Sequence, residues 1–328
     1  MKEILQYLFN HYTLSKSEAK AMMLEIAHNK FNDAEITAFI SVFLLRSITL
    51  QELEGFREAL LQMAVPVTLE EDGLLDIVGT GGDGKNTINI STLASFVVAG
   101  AGQKVSKHGN YGASTTTGAS NVLEELGYQF KKTSEELNED LAKANICFLH
   151  APYFHPALQS VGALRKALGL RTFFNLLGPL VNPAKPQYSV IGVYNLEIAR
   201  IYQYLLQKDS REFVLVHGMD GYDEISLTQD TKIITKYGEE MYSAEDLGFN
   251  AVSPESIQAG GTIRETAALF RNILEGKGTE QQNSVVLANA AVALQHTQRY
   301  GDYKECLLLA EDSLKSGKAL QSMEMLLQ

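Results

Sequence analysis

After Pro66 the sequence breaks into short apolar runs set apart by stretches of helical periodicity: "LLDIVG", "KVSKH", "ICFLH", "YSVIGV", "EFVLVHG" and "KIITK". A strand that returns parallel to its predecessor needs a crossover, usually a helix. Strands alternating with helices therefore imply a mostly parallel sheet covered on both faces, with function at the loops that follow the strand C-termini. From about Gly261 onward the reading is largely helical ("IRETAALFRNIL", "NSVVLANAAVALQHTQ"), layered on that sheet. Residues 1–65 read differently. Ser15 to Glu18, Asn32 to Glu35 and Thr49 to Glu52 are capping-box spacings, each ahead of an apolar periodic run such as "AEITAFISVFLL", and they predict a small all-helical unit. The expected fold class is α/β: a small N-terminal helical domain over residues 1–65 and a large α/β domain over residues 66–328, with a mostly parallel central sheet. There is no internal repeat and no low-complexity linker. At 328 residues and 45% hydrophobic content the chain has ample material for a buried core.

Charge narrows the partners. Lys and Arg number 28 against 39 Asp and Glu, a formal charge of −11, which repels a nucleic-acid backbone and requires any anionic ligand to be bound locally. Cys147 and Cys306 stand in apolar contexts ("NICFLH", "KECLLLA") and read as small core residues of a reducing compartment. The opening "MKEILQYLFNHYTLSKSEAK" is amphipathic and carries acids, unlike a signal peptide, and no run approaches the length of a membrane span. The expectation is a cytoplasmic protein with no membrane or nucleic-acid partner.

Four stretches carry chemistry. "DIVGTGGDGKNTINIST", Asp76 to Thr92, follows an apolar strand with glycines at Gly79, Gly81, Gly82 and Gly84 and leads into the helix "STLASFVVAGAG". Glycines there bring several N–H groups to one point beside the positive end of a helix, a cradle for phosphate. The spacing is neither G-x-G-x-x-G nor G-x-x-x-x-G-K-[ST], and a tight strand-to-helix connection would account for the glycines alone. Asp83, Thr87, Asn89, Ser91 and Thr92 add more polar termini than a turn needs. "KVSKHGNYGASTTTG", Lys104 to Gly118, is a second such loop: Lys107 supplies a point charge, Asn110 can donate and accept, and Ser114, Thr115 and Thr117 offer hydroxyls. Two loops of this kind favour a polyphosphate ligand. For Lys107 the alternative is a solvated surface lysine, and for His108 a satisfied loop histidine.

The third stretch, "HPALQSVGALRKALGLRTFFNLLGPLVNP", places Arg165 and Arg171 on or near a helix before a Gly178-Pro179 turn; either arginine can clamp a carboxylate, or serve as a surface residue or structural ion pair. The fourth, "HGMDGYDEISLT", sets Asp223 beside Glu224 after a strand and a glycine turn, a hard-oxygen pair suited to Mg²⁺ in a protein whose other loops suit a polyphosphate.

Taken together, "DIVGTGGDG", "NIST", "KHGN", "FHPAL", "LGLRTFFNLLGPLVNP" and "DGYDEIS" resemble, in order and approximate spacing through nearly the whole chain, the anthranilate phosphoribosyltransferases. These enzymes of tryptophan biosynthesis join phosphoribosyl diphosphate to anthranilate, giving N-(5-phosphoribosyl)anthranilate and diphosphate. The resemblance implies a nucleoside phosphorylase/phosphoribosyltransferase-like fold in which a segment around residues 165–180 returns to the helical domain. It implies that Gly79, Gly82, Asp83, Thr87, Asn89, Ile90, Ser91 and Thr92 line the phosphoribosyl diphosphate site, joined by Lys107, Gly109, Ser114 and Thr115. Asn110, Arg165, His108 and Pro179 would meet anthranilate, with the Arg165 guanidinium answering its carboxylate. Ser91, Asp223 and Glu224 would hold magnesium, two ions per subunit, and the assembly would be a homodimer formed through the helical domain. No residue is implied as a general acid or base.

The chain departs from the family pattern where Tyr111 replaces the usual arginine after "KHGN", and where Ala119, Ser120 and Asn121 stand for the usual Ser-Ala-Asp after Gly118. Two rival readings are a nucleoside phosphorylase of the same fold group, which has no need of the acid pair, and a non-catalytic nucleic-acid binder, which would require a basic groove.

Overall fold

The structure, a computed structural model, describes residues 1–112 and 117–328. In chain order its helices and strands are α1 (Lys2–Phe9), α2 (Lys16–Ala27), α3 (Asp33–Leu45), α4 (Leu50–Met63), β1 (Leu75–Gly79), α5 (Ile90–Gly100), β2 (Val105–Gly109), α6 (Ala119–Glu125), α7 (Ser134–Ala144), β3 (Ile146–His150), α8 (Ala151–Phe154), α9 (Gln159–Leu168), β4 (Tyr188–Gly192), α10 (Leu196–Leu206), β5 (Glu212–Gly218), β6 (Thr231–Thr235), β7 (Glu239–Tyr242), α11 (Ile263–Leu274), α12 (Glu280–His296), α13 (Tyr303–Lys315) and α14 (Lys318–Leu327). Short 3₁₀ turns occupy Pro156–Leu158, Phe173–Leu176, Gly178–Leu180 and Pro254–Ile257.

The chain divides into two compact units, one of Met1–Pro66 with Ala151–Pro183, the other of Val67–His150 with Ala184–Gln328. The segment returning to the helical unit therefore begins upstream of residues 165–180. Backbone and side-chain bonds fix it there: Val65 N–H donates to the Phe154 carbonyl at 2.9 Å, and the His155 ring bonds the Val181 carbonyl at 2.8 Å.

Within the helical unit all three anticipated capping boxes form, at Ser15/Glu18, Asn32/Glu35 and Thr49/Glu52. Its core is aromatic. Phe173 from the returning segment stacks on Phe56 with centroids 4.7 Å apart, and Phe39 and Phe43 meet Phe56 edge-on. Glu52 does more than cap. Fully buried, its carboxylate accepts from the Leu14 amide (2.9 Å), the Thr49 amide (2.9 Å) and both terminal nitrogens of Arg46 (2.6 and 2.9 Å), so one side chain joins α4 to the end of α3 and to the loop before α2. Burial pushes this carboxyl up; the Arg46 guanidinium and the two amides outweigh it and hold it below the usual carboxylate range.

In the α/β unit the strands form a seven-stranded sheet of order β3-β2-β1-β4-β5-β6-β7. β3 to β5 are parallel, and β6 and β7 extend the sheet antiparallel. Helices α5, α12 and α14 pack together against the sheet and bury Phe96, Val97, Val286, Ala290 and Met323 in one continuous core with Ile77, Phe148 and Val214. The crossovers β1-α5-β2 and β4-α10-β5 run in opposite directions across the sheet, so right-handedness places α10 on the opposite face. Strand order reverses between β1 and β4, the switch point where an open α/β sheet offers a crevice at its carboxyl ends.

Two details shape that crevice. Gly79 and Gly192 are register partners at the ends of β1 and β4, and a Cβ on either would fall on Asp223, on its carboxylate from Gly79 and on its main-chain carbonyl from Gly192. In addition, the β1-β2 ladder holds at Leu75↔Val105, whereas β1-β4 and β2-β3 each keep five register pairs. Further along that seam side chains take over: the Asp76 carboxylate accepts the His108 amide at 3.2 Å, and Lys107 Nζ donates to the Ile77 carbonyl at 2.6 Å.

Two outcomes follow. The folded Glu52 carboxyl lies below its unfolded value, so its contribution is fully present above the unfolded pKa of about 4.3 and is lost as pH falls through the lower folded value. Chemical denaturation between about pH 7 and pH 3 should show Glu52→Gln starting about 2 kcal/mol below wild type and losing less on acidification; parallel curves would leave Glu52 without this role. Gly192→Ala should lower stability by about 1–3 kcal/mol through overpacking against Asp223, while Gly238→Ala, whose Cβ meets open space, leaves the melting temperature unchanged.

Candidate active site

The strand ends β1, β4 and β5 lie side by side in the sheet, and the loops beyond β1 and β5 meet over them. After β5 the chain turns tightly, with Gly221 N–H donating to the Gly218 carbonyl (2.8 Å) and Gly218 N–H to the Tyr222 carbonyl (3.0 Å), φ at Gly221 being +93°. This turn presents Asp223 and Glu224. Their backbone is held from below by Asn289 on α12, whose side chain accepts the Ile225 amide (3.2 Å) and donates to the Ile225 carbonyl (2.8 Å).

Each carboxylate is fastened to the glycine loop. Asp223 Oδ2 accepts the Gly81 amide at 2.7 Å. Glu224 Oε1 accepts the Ser91 amide at 2.9 Å, in the first turn of α5, and Thr87 Oγ1 donates to its Oε2 at 3.3 Å. The positive end of α5 thus meets a protein carboxylate. The loop takes its shape from left-handed backbone at Gly81, Gly82 and Gly84 (φ +63°, +75° and +77°), where an L side chain would be strained. Its far arm is tied down by the segment 257–259: Ile88 N–H donates to the Ile257 carbonyl and Ala259 N–H to the Asn86 carbonyl. The Lys85 amide bonds Asp83 Oδ1 at 3.0 Å. The amides of Gly82, Asp83 and Gly84 make no hydrogen bond among the described residues, and they are the donors this loop offers an anion.

The electrostatics suit a cation. Burial pushes Asp83 up to about 7, aided by the adjacent Asp223 charge. Burial likewise raises Asp223, against the pull of the Gly81 amide, and raises Glu224, which also feels Asp223. Three desolvated carboxyls, with the Asp223 charge raising both Asp83 and Glu224, form a hard-oxygen set whose repulsion a divalent ion would relieve. Among the described residues no three or more His, Cys, Asp or Glu side chains converge to hold an ion unaided. Magnesium is usually held by one or two carboxylates together with substrate phosphates, so the residues fit that ion.

Lys107 is no surface lysine. It is buried in β2 and bonded to the Ile77 carbonyl; burial lowers its pKa to about 8, with the Asp76 and Glu224 charges opposing the shift. His108 is buried beside it. Gly109 lies where a Cβ would strike the Phe148 ring. Asn110 is exposed; its side chain accepts the Tyr111 amide at 2.8 Å, and its carbonyl accepts the Ser120 amide at 3.2 Å. Asn89 donates to the Thr117 carbonyl at 3.4 Å, which joins the two loops. The side chains of Ile90 and Thr92 are buried at the start of α5, Ile90 in the core. Ser114 and Thr115 lie outside the described residues. In place of the family arginine, Tyr111 donates to Glu124 (3.3 Å) and meets the His150 ring edge-on, with centroids 5.0 Å apart. Asn121 accepts from both the Gly112 and Gly118 amides at 2.9 Å.

In the helical unit Arg165 lies on α9, half-buried, with its guanidinium 5.2 Å from the centroid of Phe174; among the described residues it forms no ion pair. Pro179 is buried in the 3₁₀ turn Gly178–Leu180. Sequence reasoning missed Gly192, Asn289, Asp76 and the 257–259 segment. Each acts through a partner distant in sequence, which no local spacing reveals, even for Asp76 at the head of the glycine stretch.

Comparison with known proteins bears on the family and the fold. Residues 2–64 match the helical bundle domain of a glycosyl transferase family, and residues 71–320 match its a/b domain. An anthranilate phosphoribosyltransferase of Flavobacterium johnsoniae is 51% identical over 326 residues, covering 99% of this chain and 98% of that protein. Among solved structures, the anthranilate phosphoribosyltransferase of Thermus thermophilus superposes with a TM-score of 0.90 at 31% identity, covering 98% of both chains. The Saccharomyces cerevisiae enzyme, in complex with PRPP and Mg, gives 0.90 at 27% identity, covering 98% of this chain and 95% of that one. By sequence over its whole length and by fold, the chain belongs to the anthranilate phosphoribosyltransferase family.

Proposed function

We infer that the protein transfers the phosphoribosyl group of 5-phosphoribosyl 1-diphosphate to the amine of anthranilate, releasing N-(5-phosphoribosyl)anthranilate and diphosphate in tryptophan biosynthesis. The observation that carries this reading is the acid pair Asp223–Glu224 fastened to the glycine loop and to the first turn of α5 at the switch point of the sheet. Displacement at the anomeric carbon builds negative charge on the departing diphosphate, so the site must neutralise that group and hold the nucleophile in line. Magnesium, when bound, supplies that neutralisation; Ser91, Asp223 and Glu224 would hold it, as two ions per subunit. The amides of Gly82, Asp83 and Gly84 bind phosphate oxygens, with Thr87 and Asn89 in the same loop and Lys107 on the neighbouring strand β2. Arg165 and Asn110 orient anthranilate, the guanidinium through the carboxylate and the amide through its donor and acceptor. The aromatic amine is neutral near neutral pH and needs no base before attack.

The acid pair and the net charge of −11 favour this reading over a nucleoside phosphorylase or a nucleic-acid binder. No helix among the described residues is long and apolar enough to cross a membrane, and both cysteines are free and buried, which supports a cytoplasmic enzyme. Exposed Tyr7, Phe9, Tyr12, Leu44 and Leu45 on the helical unit support a homodimer formed through that unit.

Product fluorescence should appear only when both substrates and Mg²⁺ are present and vanish on chelation. The double variant Asp223→Asn, Glu224→Gln should fold and lose at least about a hundredfold in turnover; wild-type turnover from it would sink the metal assignment. Arg165→Ala should raise the KM for anthranilate about tenfold or more, the loss of a charge-assisted bond, with the KM for phosphoribosyl diphosphate nearly unchanged. A variant that weakens both substrates equally would argue against that placement.

A further inference from the structure

The stretch Asp76 to Thr92 carries one basic residue, Lys85. Its amide closes the turn on Asp83, but its ammonium makes no ion pair among the described residues. It lies over the ring of Tyr222, with Nζ 4.6 Å from the centroid. Tyr222 is 3% exposed and immediately precedes the acid pair. This lysine, tied to Asp83 through its amide yet ion-paired with no carboxylate among the described residues, has its ammonium held by the negative face of an aromatic ring.

Charge balance gives this ammonium a task. An anionic substrate approaching the loop meets Asp83, Asp223 and Glu224 on a chain of net charge −11. The other lysine of the site, Lys107, is buried and bonded to the Ile77 carbonyl, with Asp76 and Glu224 as its charge neighbours. Lys85 is half-buried, on a flexible stem, and its cation-π contact is easily exchanged for a stronger anionic partner. We propose that Lys85 is a substrate-binding residue that engages the diphosphate of phosphoribosyl diphosphate, with the Tyr222 ring holding the ammonium beside the acid pair until the anion arrives. The diphosphate is the portion the acid pair and its metal address, and Lys85 rests on the neighbouring residue. This assignment rests on the proposed transferase reading.

The test is steady-state kinetics of Lys85→Gln and Lys85→Arg in the full-length enzyme at saturating Mg²⁺, with salt varied. Lys85→Gln should raise the KM for phosphoribosyl diphosphate about tenfold or more, as expected for losing one hydrogen bond to a charged group. It should also flatten the dependence of that KM on salt, leave the KM for anthranilate near wild type and leave the melting temperature unmoved. Lys85→Arg should recover most of the affinity. A Lys85→Gln enzyme with wild-type KM and wild-type salt dependence would overturn the proposal. Should wild-type protein make no product at all, the transferase reading itself fails. Calorimetric titration of Mg²⁺ with inorganic diphosphate then still decides on Lys85: weaker binding in Lys85→Gln upholds its role, and equal binding ends it.

Discussion

Two adjacent carboxylates just past a strand end, Asp223 buried and Glu224 half-buried, are a costly arrangement in water-poor surroundings, and the geometry of the α/β unit is organised around making it tolerable. The Gly81 amide answers Asp223 and the Ser91 amide answers Glu224, the latter from the positive end of a helix. The glycine loop is bent by this acid pair as much as by any future ligand. Gly79 and Gly192 lack side chains because Asp223 occupies the space a Cβ would take, and Asn289 fixes the main chain immediately after the pair. What remains for a phosphate is the short arc of uncommitted amides at Gly82, Asp83 and Gly84.

The surrounding fold places this arrangement through its topology. Strand order reverses between β1 and β4, and β5, the next strand outward, delivers the acid pair from a tight turn to the loop that leaves β1. The buried apolar layer beneath, from α5, α12 and α14 against Ile77, Phe148 and Val214, makes the strand ends rigid enough to hold polar groups at fixed separations. The helical unit is assembled by a different logic: local capping boxes start its helices, a phenylalanine cluster fills it, and the buried Glu52 carboxylate joins three of its segments.

Much of this was legible in the chain itself. Runs such as "YSVIGV" and "EFVLVHG" are apolar because parallel central strands are covered on both faces, and the six apolar runs of the sequence coincide with β1 to β6, the antiparallel β6 among them. β7, "EEMY", was missed because it is an exposed edge strand with no apolar signature. Within the site the glycines and the acid pair announced themselves, but their mutual relation did not. Gly79 read as a donor of backbone to phosphate, and the structure gives it a steric task toward a residue far along the chain. Lys107 left open a surface or ligand role, and it proves buried against a neighbouring strand. Roles of this kind depend on which segments the topology brings together, and no local spacing encodes them. The same limit hid Gly192, Asn289 and Asp76.

The seam between β1 and β2 has a consequence for how such a protein can change. Where the ladder stops at Leu75↔Val105, the two strands are stitched onward by a carboxylate and an ammonium in place of paired peptide groups. Peptide pairing is indifferent to sequence, whereas this stitching can be lengthened, shortened or recharged by single codon changes at Asp76 or Lys107. A lineage can thus alter this seam at single residues while every strand keeps its order and register.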